Sequence, residues 1–271
     1  MKRYSSASLR TTTPLAIAVT LIGLLLLLWL ASELVIVRSF RELEERTVRD
    51  DVAQTVSTLR DDIASLDRTT QDYAAWDDTY AFANDGNMEY VATNFPDETF
   101  ASNRLSLVVV VNRHSDVIYM QAFDLNEEHE LSAPIELTSL NGPAQRLLQH
   151  TSAESGVSGL VMLGGKPMLV AARPILTSAH TGPPNGTVIM GRALDPSEVA
   201  RIANITGDNL TVVTAGTTSL TPDYALAQQL ISHDNPIVTY ILGADRIGGY
   251  AAMDDLLGSD RILHRRLRGD G

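Results

Sequence analysis

The stretch QDYAAWDDTYAFANDGNMEY, residues 71–90, gathers three tyrosines, one tryptophan and five acidic residues in a chain that is otherwise 6% aromatic. Three readings compete for it: a catalytic carboxylate cluster, the wall of a ligand pocket, or an amphipathic helix packed on a sheet. The residues on either side narrow the choice.

Upstream, Val52, Val56, Leu59, Ile63 and Leu66 are spaced 4, 3, 4 and 3, and the register continues through Thr70 to Tyr73. This spacing predicts a long helix with one apolar seam. The seam serves either a parallel dimer contact or the helix's own domain. Further upstream, PLAIAVTLIGLLLLLWLASELVIV, Pro14 to Val37, holds Glu33 as its single charge. As a helix it would be roughly 36 Å long, enough to cross a bilayer core of about 30 Å. It is longer than the apolar region of a cleaved signal peptide and is read as an uncleaved anchor. Lys2, Arg3 and Arg10 precede it, but Arg38, Arg41, Arg46 and Arg49 follow it. Charge alone therefore leaves the orientation open.

Removing residues 1–37 leaves 18 basic against 32 acidic side chains, a net charge of −14. That surface disfavours nucleic acid and anionic lipid. The chain has no cysteine, which excludes disulfides and thiolate metal sites.

Downstream, the pattern becomes extended. RLSLVVVVN, 104–112, reads as a strand buried on both faces, and VIYMQAF, 117–123, as its hairpin partner. NGPAQRLLQH, 141–150, suits a short helix. Two apolar segments around Gly164-Gly165 predict a second hairpin, and TVIMGRAL, 187–194, a further strand. DPSEVARIAN, from Asp195, opens a helix with Asp195 as N-cap and Pro196 at its first position. NLTVV, IVTYIL and RIGGYAAM add strands around a DYALAQQLIS helix, and the basic end RILHRRLR reads as a solvated tail. The sum is an α+β architecture, a long N-terminal helix against an antiparallel sheet.

Catalytic signals are weak. His114, His129, His150, His180, His233 and His264 are dispersed, none at a metal-ligand spacing, so no metal or cofactor is expected. GVSGL, 156–160, misses the nucleophile-elbow spacing and reads as the entry to a strand. NDGN, 84–87, lacks the ligand alternation of a calcium loop. Asp77 and Asp78, adjacent on a helix, would point about 100° apart. No catalytic residue is assigned.

DYAAWDDTYAFANDGNMEYVATNF, the valine-rich hairpin, Arg173-Pro174-Ile175, and Gly186-Thr187 leading to Gly191-Arg192 occur in an order that resembles the fourth type of CHASE domain. These are sensory extracellular modules of bacterial and archaeal receptors. The resemblance implies a Cache/PAS-like ligand-sensing input, usually dimeric, standing in the periplasm. The resemblance spans about 68–200, and with the apolar run and the helical seam the chain divides into a cytoplasmic tail 1–13, an anchor 14–37, a signalling helix 38–67, a sensor domain 68–200 and a C-terminal part 201–271. Such a sensor ordinarily precedes a second span and a kinase, cyclase or phosphodiesterase output. No spanning run occurs after residue 37, so the output lies in a longer polypeptide or a partner.

The resemblance does not say which residues touch a ligand. On a continuous helix Tyr73, Trp76, Asp77 and Tyr80 would share one face. Trp76 and Tyr80 then cover an organic ligand that Asp77 fixes, with Tyr90 and Asn94 at the rim and Arg173 pairing an anionic group. The alternative makes the aromatics core and Asp77 an anchor to Arg173 or Arg192. An anchored hydrolase and a purely dimerising scaffold are the rival functions.

Overall fold

The structure is a computed structural model and describes residues 9–32, 37–132, 134–138, 142–150, 152, 155–180, 182–207, 210–214, 221–232, 234–243, 246–258 and 261–268. Most of the expected N-terminal tail, residues 33–36 of the expected anchor, His233 and Asn141 lie outside them. The chain divides into two compact units, residues 1–47 and 48–271.

In the first unit, α1 (Leu9–Ala31) contains Pro14–Ala31, a segment of mean hydropathy 2.5 whose side chains are exposed. Among the described residues it is the one helix long and apolar enough to cross a membrane. The helix α2 (Val37–Ala74) begins in this unit, and its residues from Val48 onward belong to the second.

The second unit is α+β. Helices α3 (Asp77–Asp85), α4 (Met88–Asn94) and α5 (Asp97–Asn103) lead into β1 (Leu107–Asn112), β2 (Val117–Asp124) and β3 (His129–Leu131). The short helix α6 (Ile135–Thr138) and a 3-10 turn, Gly142–Leu148, precede β4 (Val157–Leu163), β5 (Lys166–Pro174) and β6 (Gly186–Ala193). These strands form an antiparallel sheet in the order β3-β2-β1-β6-β5-β4. Then α7 (Pro196–Thr206), β7 (Leu210–Thr214), α8 (Pro222–Leu230), β8 (Ile237–Gly243), β9 (Arg246–Asp254) and β10 (Arg261–Arg268) build a second antiparallel sheet, ordered β7-β10-β9-β8.

The valine run of β1 is buried on both faces because both sides of the larger sheet are covered. Leu59, Ile63 and Leu66 of α2 pack with Val108 and Val110 on one side. Leu137, Ala144 and Leu147 pack with Leu107, Val109 and Val111 on the other. Each fully buried valine or leucine contributes about 1.5–3 kcal/mol relative to exposure. The apolar seam of α2 is thus spent on its own domain: Val52 and Val56 meet Ala251 of the second sheet, and Leu59 to Leu66 meet the first. Gly249 permits the approach, since a Cβ there would lie 2.6 Å from the methyls of Val48 and Val52.

The short helix expected within 141–150 is present as a 3-10 helix, Gly142–Leu148, which turns Leu147 into the core. One local reading changes. RILHRRLR is not a tail: its backbone pairs with β9 and β7 along eight and five residues respectively.

Candidate functional site

The aromatic stretch does not continue α2. That helix ends at Ala74, and Trp76 is extended, with φ −95° and ψ 141°, as the N-cap of α3. Tyr73, Trp76, Asp77 and Tyr80 therefore do not form one helical face. The break is imposed by the β5–β6 loop. The Leu176 amide donates to the Ala74 carbonyl at 2.9 Å, and the Asn185 side chain donates to the Tyr80 carbonyl at 2.8 Å. Asp77 accepts from the Ser178 hydroxyl at 2.6 Å and amide at 3.0 Å. These bonds, the hydroxyl first, hold the Asp77 carboxyl below its ordinary pKa. Its anchor is thus Ser178, and not Arg173 or Arg192.

The rings form one connected cluster, in which Tyr90 meets Phe95 edge-on at 5.8 Å. Tyr73 meets Trp76 at 4.3 Å and Phe95 at 5.5 Å, Phe95 meets Tyr119 at 5.6 Å, and Phe82 meets Tyr90 at 4.8 Å. Burial pushes the Tyr90 hydroxyl up to about 12, and that hydroxyl lies 2.6 Å from the Thr79 hydroxyl. Of the six residues singled out in the sequence, Tyr90 and Asn94 line a groove of about 300 Å³ between α3 and α4, rimmed by Asp78, Asp85 and Glu89. Asn94 commits its side-chain amide to the Tyr90 carbonyl at 2.9 Å. Arg173 faces a different element, making a two-pronged ion pair with Asp67 of α2.

Sequence reasoning missed the charged lattice that clasps α2. Asp62 on α2 is buried and meets Arg104, Arg192 and Arg201, while Glu198 of α7 binds Arg104 at 2.9 Å and Arg201 at 2.8 Å. Arg192 also donates to the carbonyls of Arg104 and Asn103, both at 3.0 Å. Arg104 reaches this position from a left-handed backbone, φ 53°, at the end of α5. Such a conformation costs a side-chain-bearing residue about 1 kcal/mol, which its two ion pairs offset. The Asp62 partners, 42 to 139 residues away, leave no local sequence signal. The local hints were Asp62 and Asp67 on an apolar-seamed helix and the Glu198–Arg201 pair, three residues apart on α7.

On the opposite face of the sheet, His150 Nε2 lies 3.0 Å from the Thr187 hydroxyl. Burial, and then the Arg173 charge, lower the His150 pKa. A further cavity of about 550 Å³ lies between α2, β4 and β9. Among the described residues no cluster of His, Asp or Glu is arranged to hold a metal ion.

The sequence from residue 58 to residue 213, more than half of the chain, matches the model of the CHASE4 domain. The chain belongs to the CHASE4 domain family. The methanogenesis regulatory histidine kinase FilI of Methanothrix harundinacea is 31% identical over 169 residues, which is 62% of this chain and 19% of that kinase's length. Among solved structures, a domain of a protein assigned to the sensory box/GGDEF family in Vibrio parahaemolyticus is similar with a TM-score of 0.59 at 8% identity, over 84% of this chain and 97% of that one. The periplasmic domain of Vibrio cholerae LuxQ is similar with a TM-score of 0.50 at 14% identity, over 82% of this chain and all of that one. The CHASE4 chain thus has the fold of sensor domains. Its match to residues 58–213 takes in Asp62, Asp67, Arg104, Arg173, Arg192, Glu198 and Arg201.

Proposed function

We propose that this CHASE4 chain is the extracytoplasmic ligand-sensing input of a membrane-anchored receptor of histidine kinase or diguanylate cyclase/phosphodiesterase type, and that α2 carries its signal. The observation that supports this most is the double clasp on α2. Asp62 is tied to three arginines and Asp67 to Arg173, so strain in the sheet, in α5 or in α7 reaches one helix. A small displacement of that helix is a standard output of such transitions. In this reading the apolar segment, 14–37, anchors the chain in the inner membrane with residues 1–13 on the cytoplasmic side. Residues 38–67 transmit, 68–200 sense, and 201–271 support.

The chain catalyses nothing in this account, and the output belongs to a further module or partner. The aromatic cluster that holds Trp76 and Tyr90, with Tyr80 packed against the same core and with Asp77, Asn94 and Arg173, is architecture that fixes the α2–α3 turn and the β5–β6 loop. Dimerisation uses the outward face of α2, where Ala53, Ser57 and Ala64 are exposed.

Thermal unfolding of the full chain in lipid nanodiscs against a panel of small metabolites tests the reading. A compound at 100 times its dissociation constant adds about 2.7 kcal/mol. A panel in which no compound raises the melting temperature favours a scaffold instead.

A further inference from the structure

We propose that the cavity between α2, β4 and β9 is the ligand site of the sensor, and that it takes a small carboxylate with a compact apolar body. The proposal rests on the sensing role above and names its ligand class.

The volume, about 550 Å³, is within the range of small-molecule sites, which are mostly apolar with a few converging polar groups. Ile63 of α2, Leu160 of β4 and Met253 of β9 supply apolar wall. Arg60 stands one turn from Ile63 on the same helix, lines the cavity, and is exposed. It makes no hydrogen bond or ion pair with any described residue. A planar guanidinium in that position matches a carboxylate with two parallel hydrogen bonds.

The strand edge adds donors. β4 ends the six-stranded sheet, and its Leu160 carbonyl turns away from β5 to accept the Leu256 amide at 2.8 Å. The two-residue period of an antiparallel strand turns the Ser158 amide to the same open side. It also puts the Ser158 hydroxyl on the Leu160 face, which packs toward α2. Guanidinium, hydroxyl and amide thus border one cavity, where a carboxylate has donors to bind. Arg60 and Ile63 flank Asp62, so occupancy acts on the helix at its clasp.

Isothermal titration of the full chain in nanodiscs with hexanoate and hexylamine tests the site. Hexanoate is expected to bind saturably, and Arg60→Gln to weaken it about tenfold or more. Arg60→Glu, at an exposed helical position that leaves the fold intact, should exchange the preference toward hexylamine. Absence of hexanoate binding, or equal binding by wild type and Arg60→Glu, overturns the proposal. A metabolite that stabilises wild type and Arg60→Glu equally removes this site and leaves the sensing role. Hexanoate binding that depends on Arg60 but leaves α2 unmoved keeps the site and removes the sensing role.

Discussion

Asp62 on the long helix and Arg104 at the end of α5 meet at 3.1 Å, and the second carboxylate oxygen of Asp62 engages Arg201. With Arg192 and Glu198 the lattice holds three arginines against two acids. Removing Asp62 leaves one acid for three cations in a largely desolvated site. Asp62→Ala is expected to cost about 3–5 kcal/mol in urea unfolding, since a buried pair broken on one side leaves charge uncompensated. A loss within the range of an exposed substitution would mean that the lattice is solvated and does not fix α2.

Gly156 lies against the Arg173 side chain, where an added Cβ would overlap the guanidinium that Asp67 holds. Gly156→Ala is expected to destabilise by about 1–3 kcal/mol, the usual cost of overpacking. In an Arg173→Ala background the same change should be close to neutral. A double-mutant cycle from thermal unfolding reads the difference, and strict additivity would show that the two positions do not interact.

The His150 pKa is lowered in the folded chain, first by burial and then by the charge on Arg173. Folding therefore opposes protonation of this ring. Stability is undiminished above the ordinary histidine value of about 6.5 and falls as the pH drops below it toward the folded-state value. Melting temperatures across that window should fall in wild type and less steeply in His150→Gln. Parallel curves would show that His150 does not carry the dependence.

Asp77 owes its lowered pKa to the Ser178 hydroxyl and then the Ser178 amide. Ser178→Ala should raise the Asp77 carboxyl toward the ordinary aspartate range in a carbon-detected NMR titration. It should also speed amide exchange at Leu176, whose amide donates to the Ala74 carbonyl. Unchanged exchange with a raised pKa would confine the bond to a local role.

The parts legible in the sequence are those written in local spacing. The 4-3-4-3 seam gave α2, Gly164-Gly165 gave the β4–β5 hairpin, and Asp195 caps α7 by accepting the Glu198 amide at 2.8 Å. What failed was decided at long range. The helix breaks at Trp76 because a loop a hundred residues later bonds Ala74 and Asp77, and helical spacing cannot register that. β10 was hidden by its arginines, because its pairing with β9 and β7 is a property of its backbone. The seam showed that α2 buries one face but not whether its own sheets or a second chain would cover it.

The central claim is that ligand occupancy moves α2. The chain has no cysteine, so two spin labels at Gln54→Cys and Glu127→Cys are the only ones each chain carries, both positions being exposed. The account predicts that a compound which raises the melting temperature also replaces one inter-label distance population with another, and that Asp62→Asn broadens the distribution without ligand. An unchanged distribution at saturating compound would contradict it.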